Sequence, residues 1–323
     1  MKELISERFF KMLLIITNKD DLAADYLISA LIEKSLPYFR INSEDIQNYL
    51  VNYSCQNNKY EAKIRHKNKI LDLSEVKSVW YRRAISPSIN QDIDFYSKKF
   101  ISGELQHLVE GICLNDDLVW VNPFDAVIKA ERKIYQLKVA RNMGFKIPNT
   151  LISNDKNLIN SFHLQNVPII CKPIYHGYFQ KKDDNYAIYS NRIEPKMFDG
   201  FDSIYPTYFQ NEIKKISDIR VTVVRNDIFS IQITFDNSKT PDWRRKECDV
   251  SYKEFDLPIE LKENCIRLVS ELGLNFGAID LARTIDDEYY FFEINPTGEW
   301  AWIEHKLGLP IRESLIKTFY RTK

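Results

Sequence analysis

The sequence predicts an α/β protein of two or three subdomains. Its 323 residues exceed what one small core organises. The opening segment alternates an apolar strand, an amphipathic helix and a second apolar strand, the pattern of a parallel βαβ unit. The final third pairs apolar runs across short polar turns, the pattern of antiparallel hairpins.

Met12-Leu13-Leu14-Ile15-Ile16-Thr17 reads as a buried strand. Asp20 or Asp21 caps a helix with Leu22, Tyr26, Leu27, Ala30 and Leu31 at helical spacing, and residues 37–42 form the next strand. Residues 49–73 read as short antiparallel strands. A strand over 78–83 ends in Arg82 and Arg83. An amphipathic helix covers 95–113, a strand covers 118–121, and Asn122-Pro123 marks a boundary. A helix over 127–143 closes at Gly144, and a strand over 168–173 holds Lys172 near its end. Residues 174–186 read as a polar, aromatic loop, with strands over 186–190 and 207–210 beyond it. A hairpin of 219–224 and 228–235 turns at Asn226-Asp227. A charged loop over 236–251, a helix over 258–272, a last hairpin and a helix begun by Pro310 complete the chain.

Lys+Arg and Asp+Glu are equal at 45 each, so charge gives no reason to expect nucleic acid or an anionic membrane as partner. No apolar run reaches the length of a membrane span, and Glu3 and Glu7 stand where a signal peptide carries positive charge. The five cysteines are scattered and lack a Cys-x-x-Cys pair, which fits reduced thiols in a cytoplasm.

The last hairpin is the most informative segment. Phe276-Gly277-Ala278-Ile279-Asp280-Leu281 is followed, after Ile285-Asp286-Asp287-Glu288, by Phe291-Phe292-Glu293-Ile294-Asn295-Pro296. Glu293 and Asn295 share a strand face. If Asp286-Asp287 is the two-residue turn, Asp280 stands opposite Glu293. Two carboxylates facing across a ladder repel. A bound cation removes that penalty, and an oxygen-only set suits Mg²⁺ with phosphates completing its shell. The hairpin therefore reads as a Mg-nucleotide site; the competing reading is an edge hairpin with solvated acids. Before it along the chain come Lys133, Lys172 and the Gln210-Asn211-Glu212-Ile213 segment. Lysines meet phosphates as point charges. No Walker A motif and no Gly-x-Gly-x-x-Gly is present.

This order resembles the ATP-grasp superfamily and, more narrowly, the microviridin-type graspetide synthetases, ATP-grasp macrocyclases of ribosomal peptides. The likeness rests on Val79-Trp80-Tyr81-Arg82-Arg83, Trp120-Val121-Asn122-Pro123, Ile170-Cys171-Lys172-Pro173, Phe209-Gln210-Asn211-Glu212-Ile213 with Asp218-Ile219-Arg220, Asp242-Trp243-Arg244, Gly277-Ala278-Ile279-Asp280 and Glu293-Ile294-Asn295-Pro296-Thr297-Gly298. One departure is the single glycine of Tyr175-His176-Gly177-Tyr178, where many ATP-grasp enzymes carry a glycine-rich phosphate loop.

The resemblance implies a pre-ATP-grasp domain over 1–121, a central lobe over 122–207 and a C-terminal lobe over 208–323. It implies ATP and Mg²⁺ as cofactors. Lys133 and Lys172 would contact phosphates, and Gln210, Asn211, Glu212 and Ile213 would line the adenine. Asp280, Glu293 and Asn295 would hold Mg²⁺, and Arg220 and Arg244 would act on the transferring phosphate or the reacting carboxylate. The implied partner is a precursor peptide with a leader and a Ser/Thr/Asp/Glu-containing core, closed into ω-ester or ω-amide rings by a homodimeric enzyme. Asp242, Trp243, Arg82 and Arg83 are candidate substrate contacts, and the stretch 236–251 a candidate leader contact. Other readings stay open: a solvated helix lysine at Lys133, a charged strand end at Arg82-Arg83, another ATP-grasp ligase such as a protein glutamate ligase, or a nucleotide-binding module without catalysis.

Overall fold

The computed structural model describes residues 12–321 other than 58, 115–117, 176, 182–183, 201–203, 237 and 239. Expectations placed on His176, Lys182 and Asp183 thus lie outside the described residues. Two compact units emerge: residues 1–127, 273–276 and 297–323 form one, and residues 128–272 and 277–296 the other. Residues 297–321, expected with the C-terminal lobe, therefore belong to the unit that contains residues 12–127.

The first unit opens with β1 (Met12–Thr17), α1 (Leu22–Glu33) and β2 (Tyr38–Asn42), and β1 and β2 pair in parallel. Asp21 caps α1 by accepting from the Ala24 amide. An antiparallel meander follows: β3 (Leu50–Gln56), β4 (Lys59–His66) and β5 (Lys69–Asp72). Then come β6 (Val76–Tyr81), α2 (Phe95–Cys113), β7 (Val119–Trp120) and α3 (Phe124–Ala130). The main sheet has the order β2-β1-β6-β7, all parallel. Strand β1 is buried on both faces, which explains its unbroken apolar run. Leu14, Ile16, Phe39, Ile41 and Val79 share one core with Ile64 and Leu71 of the meander and Val109 of α2.

The second unit carries α4 (Lys133–Asn142), β8 (Thr150–Ser153), α5 (Lys156–Gln165), β9 (Ile169–Lys172), β10 (Tyr178–Lys181), β11 (Asp184–Ala187), β12 (Asn191–Ile193) and β13 (Thr207–Asn211). Strands β12-β9-β13-β8 make an antiparallel sheet covered by α5, with Ile159, Ile169 and Phe209 at its core. A second sheet is built from β14 (Lys215–Val224), β15 (Asp227–Phe235), β16 (Val250–Glu254), β17 (Phe276–Thr284) and β18 (Tyr289–Asn295), in the order β16-β15-β14-β17-β18. Helix α6 (Ile259–Glu271) lies against β14 and buries Cys265, Leu268 and Val269. Full burial of the Leu268 and Val269 side chains contributes about 1.5–3 kcal/mol each. The helices α7 (Ala301–Leu307) and α8 (Ile311–Phe319) end the chain in the first unit, where Trp80 packs on Phe319 at 5.6 Å.

Four expectations need correction. The single helix over 127–143 is two helices, because Arg132 turns extended (φ −82°, ψ 101°) and the chain restarts at Lys133. The loop over 174–186 contains the β10–β11 hairpin, and the strand expected at 186–190 ends at Ala187. Gly177 is needed at the base of that hairpin, since a Cβ there would lie 2.2 Å from the Ile188 carbonyl oxygen. The β14–β15 turn falls on Arg225-Asn226 rather than Asn226-Asp227, with Arg225 at φ 53°. Residues 301–307, for which no element was expected, form α7.

Candidate active site

Strands β17 and β18 place Asp280 directly opposite Glu293. The route differs from the expected one. The turn is wider: the Thr284 amide donates to the Glu288 carbonyl, and Asp287 sits at φ 56°. That shifts the ladder so that Leu281 faces Phe291. One extra residue, Phe292, then bulges from β18 and returns Asp280 to Glu293.

Cations from three other elements meet this carboxylate pair. Lys133, at the start of α4, reaches Glu293 at 3.1 Å. Arg220 of β14 donates to Asp280 at 2.8 Å, and Arg244 donates to the other oxygen of Asp280 at 3.0 Å. Asn295 lies beside Glu293, its amide nitrogen 3.5 Å from Oε1. Lys172 ends β9 opposite Tyr208 of β13, with its ammonium over the rings of Tyr208 (5.0 Å) and Phe292 (5.5 Å). The bulge thus turns Phe292 toward the lysine.

The electrostatics follow from burial and crowding. Burial, helped by Lys133 and Arg244, pushes the Lys172 ammonium down to about 8, against the pull of Glu293 and Asp280. Burial works against the Glu293 carboxylate, but Lys133, Arg244 and Lys172 together outweigh it and hold the group well below the usual carboxylate range. Arg244 also loses by burial and gains more from Asp280, Asp242 and Glu293. Four cations (Lys133, Lys172, Arg220, Arg244) thus face three carboxylates (Asp242, Asp280, Glu293). The excess is positive, which suits a polyanion.

Other expected residues fall as follows. Gln210 is fully buried and shares the face of Tyr208; its Nε2 donates to Thr150 Oγ1 at 2.9 Å and its Oε1 has no partner among the described residues. The buried Oδ1 of Asn211 also lacks one. Glu212 is held by Arg192 through two bonds of 2.6 and 2.7 Å, so its side chain is committed internally. Ile213 follows β13 at the head of the link to β14. Asp242 is buried, accepts from the Ser190 and Arg244 amides and pairs with the Arg244 guanidinium at 3.6 Å. It therefore orients Arg244. Trp243 lies under that guanidinium at 5.4 Å and edge-on to Tyr252 at 6.1 Å.

The arginines of the first unit differ from the expected exposed strand end. Arg82 is 1% exposed; it pairs with Asp21 at 2.8 Å and donates to the Thr297 and Gly298 carbonyls and to Glu299. Its guanidinium is used within the fold, so a substrate contact there is corrected to an internal tie. Arg83 is half-exposed and also pairs with Glu299. Asn122, read as a boundary, is buried and holds Asn275 and Phe276 by their backbone.

Sequence reasoning missed two neighbours of the site. Lys215 bonds both oxygens of buried Asp218 at 2.7 Å and stacks over Phe235 and Phe292. Gln136, one turn after Lys133, bonds the backbone of Ile294. The available signal for Gln136 was an amide on the apolar side of a helix.

The two sheets of the second unit, with acids on the terminal hairpin of one and a buried lysine at a strand end of the other, have the fold of the ATP-grasp ligases. Residues 11–127 match the MvdD pre-ATP-grasp domain. Among solved structures, the chain is similar to the macrocyclase MdnC of Microcystis aeruginosa MRC, bound with its precursor peptide MdnA: 25% identity, 96% of this chain, 100% of that one, TM-score 0.84. It is also similar to a RiPP-associated ATP-grasp ligase of Chryseobacterium gregarium in complex with ADP, a leader and a core peptide (24%, 96% and 96%, 0.85). The D-alanine–D-alanine ligase of Bacillus anthracis shares the fold at 12% identity and TM-score 0.55, over 96% of each chain. No curated protein sequence matches the chain.

Proposed function

We propose that this ligase closes rings in a ribosomally made precursor peptide, using ATP and Mg²⁺ to join side-chain carboxylates of the core to Ser/Thr hydroxyls or a Lys amine. The observation that carries the ATP reading is the convergence of Lys133, Lys172, Arg220 and Arg244 on Asp280 and Glu293. The likeness to a macrocyclase over its full length supports the peptide substrate.

The donor set fits Mg²⁺ in part. Asp280, Glu293 and Asn295 supply oxygen ligands from one hairpin, and among the described residues no cluster of three His, Cys, Asp or Glu side chains could hold a metal unaided. Mg²⁺ bound by one or two carboxylates with phosphates completing its shell matches that number. Without ligand, each carboxylate is paired to a cation. Asp280, Glu293 and Asn295 would hold the metal, and Lys133, Lys172, Arg220 and Arg244 would then be available to the phosphates. Gln210 Oε1, which has no partner among the described residues, is an acceptor suited to an amino group of the base.

Bound ATP would supply a phosphoryl group to a substrate carboxylate, releasing ADP, so that one carboxylate oxygen could depart as phosphate when the hydroxyl or amine attacks the acyl carbon. The protein supplies position and charge. Arg220 and Arg244, the latter oriented by Asp242, would offset the charge that develops on the transferring phosphate. Lys133 and Lys172 would fix the nucleotide. The residues 236–251 remain our candidate for the leader contact, a homodimer in the cytoplasm the working assembly, and the three-part division at 121 and 207 the functional one.

Intact-mass spectrometry tests the proposal. The protein is incubated with ATP, Mg²⁺ and a Thr/Glu/Asp-rich peptide encoded beside its gene. Loss of one water per ring, dependent on ATP, is expected, and mild base hydrolysis then separates ester from amide. A gain of amino-acid units would instead identify a glutamate-type ligase. An unchanged mass would remove this peptide class as substrate.

A further inference from the structure

The strand that carries Glu293 and Asn295 ends its sheet. Beyond it, two groups bond to the backbone of its outer edge. The Phe291 amide donates to the Lys146 carbonyl at 2.8 Å. Three residues on, the edge is closed by a side chain. Gln136 Oε1 accepts from the Ile294 amide at 3.1 Å, and Gln136 Nε2 donates to the Ile294 carbonyl at 2.9 Å and to the Ala130 carbonyl. Gln136 is 3% exposed. Its amide therefore does what the backbone of a neighbouring strand would do, at one residue only.

That residue is Ile294, the link between Glu293 and Asn295. The same helix contacts Glu293 directly through Lys133. Helix α4 thus sets the backbone between the two proposed metal ligands with one side chain and the charge of one ligand with another. The bond to Ala130 adds a third constraint, since it ties the end of α3 to the amide that grips β18.

We infer that Gln136 is a positioning residue for metal binding: it fixes the Ile294 peptide so that Glu293 and Asn295 present their oxygens together on the face of Asp280. This rests on the reading of those residues as Mg²⁺ ligands. Groups that orient metal ligands commonly matter 10–100-fold for metal affinity. A glutamine that merely covered a strand edge would affect stability alone.

The test is calorimetric titration of the full chain with ADP, with and without MgCl₂. The quantity read is the gain in ADP affinity that Mg²⁺ brings. Gln136→Met removes both bonds to Ile294. Gln136→Glu is nearly isosteric, keeps the acceptor and loses the donor when ionised. Both variants are expected to bind ADP without Mg²⁺ within about two-fold of wild type and to lose about ten-fold of the Mg²⁺-dependent gain. Lowering the pH should restore the gain in Gln136→Glu alone, because the protonated acid regains a donor. A full Mg²⁺ gain in folded Gln136 variants, with only a lowered Tm, would overturn the inference. Should Gln136→Met fail to fold, the Glu variant and its pH response decide. Glu293→Gln is measured alongside: if it too keeps the full gain, the metal reading itself is wrong. If Glu293→Gln loses the gain and the Gln136 variants do not, only the positioning role fails.

Discussion

Asp280 and Glu293 face each other across the β17–β18 ladder, yet each is neutralised by a different part of the protein: Asp280 by Arg220 and Arg244, Glu293 by Lys133. A like-charged cross-strand pair is stabilised only while those partners remain, so the hairpin, β14, the 236–251 stretch and α4 are electrostatically one site.

Glu293→Gln should lower ATP-dependent ring closure by about 10²–10³-fold, the scale of removing one preorganised charge contact. The circular-dichroism spectrum should stay unchanged, because Lys133 and Glu293 both keep some access to water. Loss of the folded spectrum would mean that the pair is structural rather than functional.

Nucleotide affinity should depend on Lys172. With the ammonium at about 8, it is charged below that pH and neutral above it. A polyphosphate gains from the charged form, so affinity should be flat from acid to neutral pH and fall above about 8. The stability effect has the opposite sign. The group is depressed in the fold from its ordinary 10.5, so folding releases a proton between 8 and 10.5, and the cost of burying the charge is complete below 8 and relieved as pH rises. Lys172→Met should therefore bind ADP weakly at every pH and melt above wild type at pH 7, the gap narrowing by pH 10. Calorimetry and thermal melts at both pH values measure this.

The adjacent arginines should behave unequally. Arg82→Met strands buried Asp21, whose carboxylate, disfavoured by burial, is held low by Arg82 and Thr17. Breaking such a buried pair costs about 3–5 kcal/mol. Arg83→Ala, at a half-exposed pair, should cost about 1 kcal/mol or less. Urea unfolding of both variants gives the comparison; equal losses would refute the internal tie.

Gly277→Ala should destabilise by about 1–3 kcal/mol through overpacking. A Cβ there would lie 2.7 Å from Ile294 Cδ1 and 2.9 Å from Val269 Cγ2, both on stiff, branched side chains in a filled core. Because Ile294 lies between Glu293 and Asn295, ADP binding with Mg²⁺ should weaken as well.

The sequence was most legible where one periodicity dominates. Helix α2 begins and ends at the residues its apolar spacing marks, and β1 matches its apolar run residue for residue. The site residues on β17 and β18 were legible too, but through two departures that cancel. A two-residue turn at Asp286-Asp287 pairs Asp280 with Glu293, whereas the Asp287 bend makes the turn longer; the Phe292 bulge, which has no local signature, restores the pairing. The break at Arg132 was hidden because Val127, Ala130, Leu137 and Ala140 keep an apolar face across it. Arg82 misled for a different reason. A strand-end arginine normally reaches solvent, and its partners Asp21 and Glu299 are remote in sequence. Long-range pairing of this kind has no periodic trace.

The closed outer edge of β18 has one more consequence. An outermost strand offers free amides and carbonyls that another chain can extend by strand addition, the first step of aggregation. In this protein that strand also bears the acids, and an acid-bearing edge must stay in register to work. Lys146 and Gln136 occupy the edge groups of Phe291 and Ile294 from within. The same contacts that hold the chemistry in place thus deny neighbouring molecules a template, and loss of solubility should accompany loss of activity when this edge is opened.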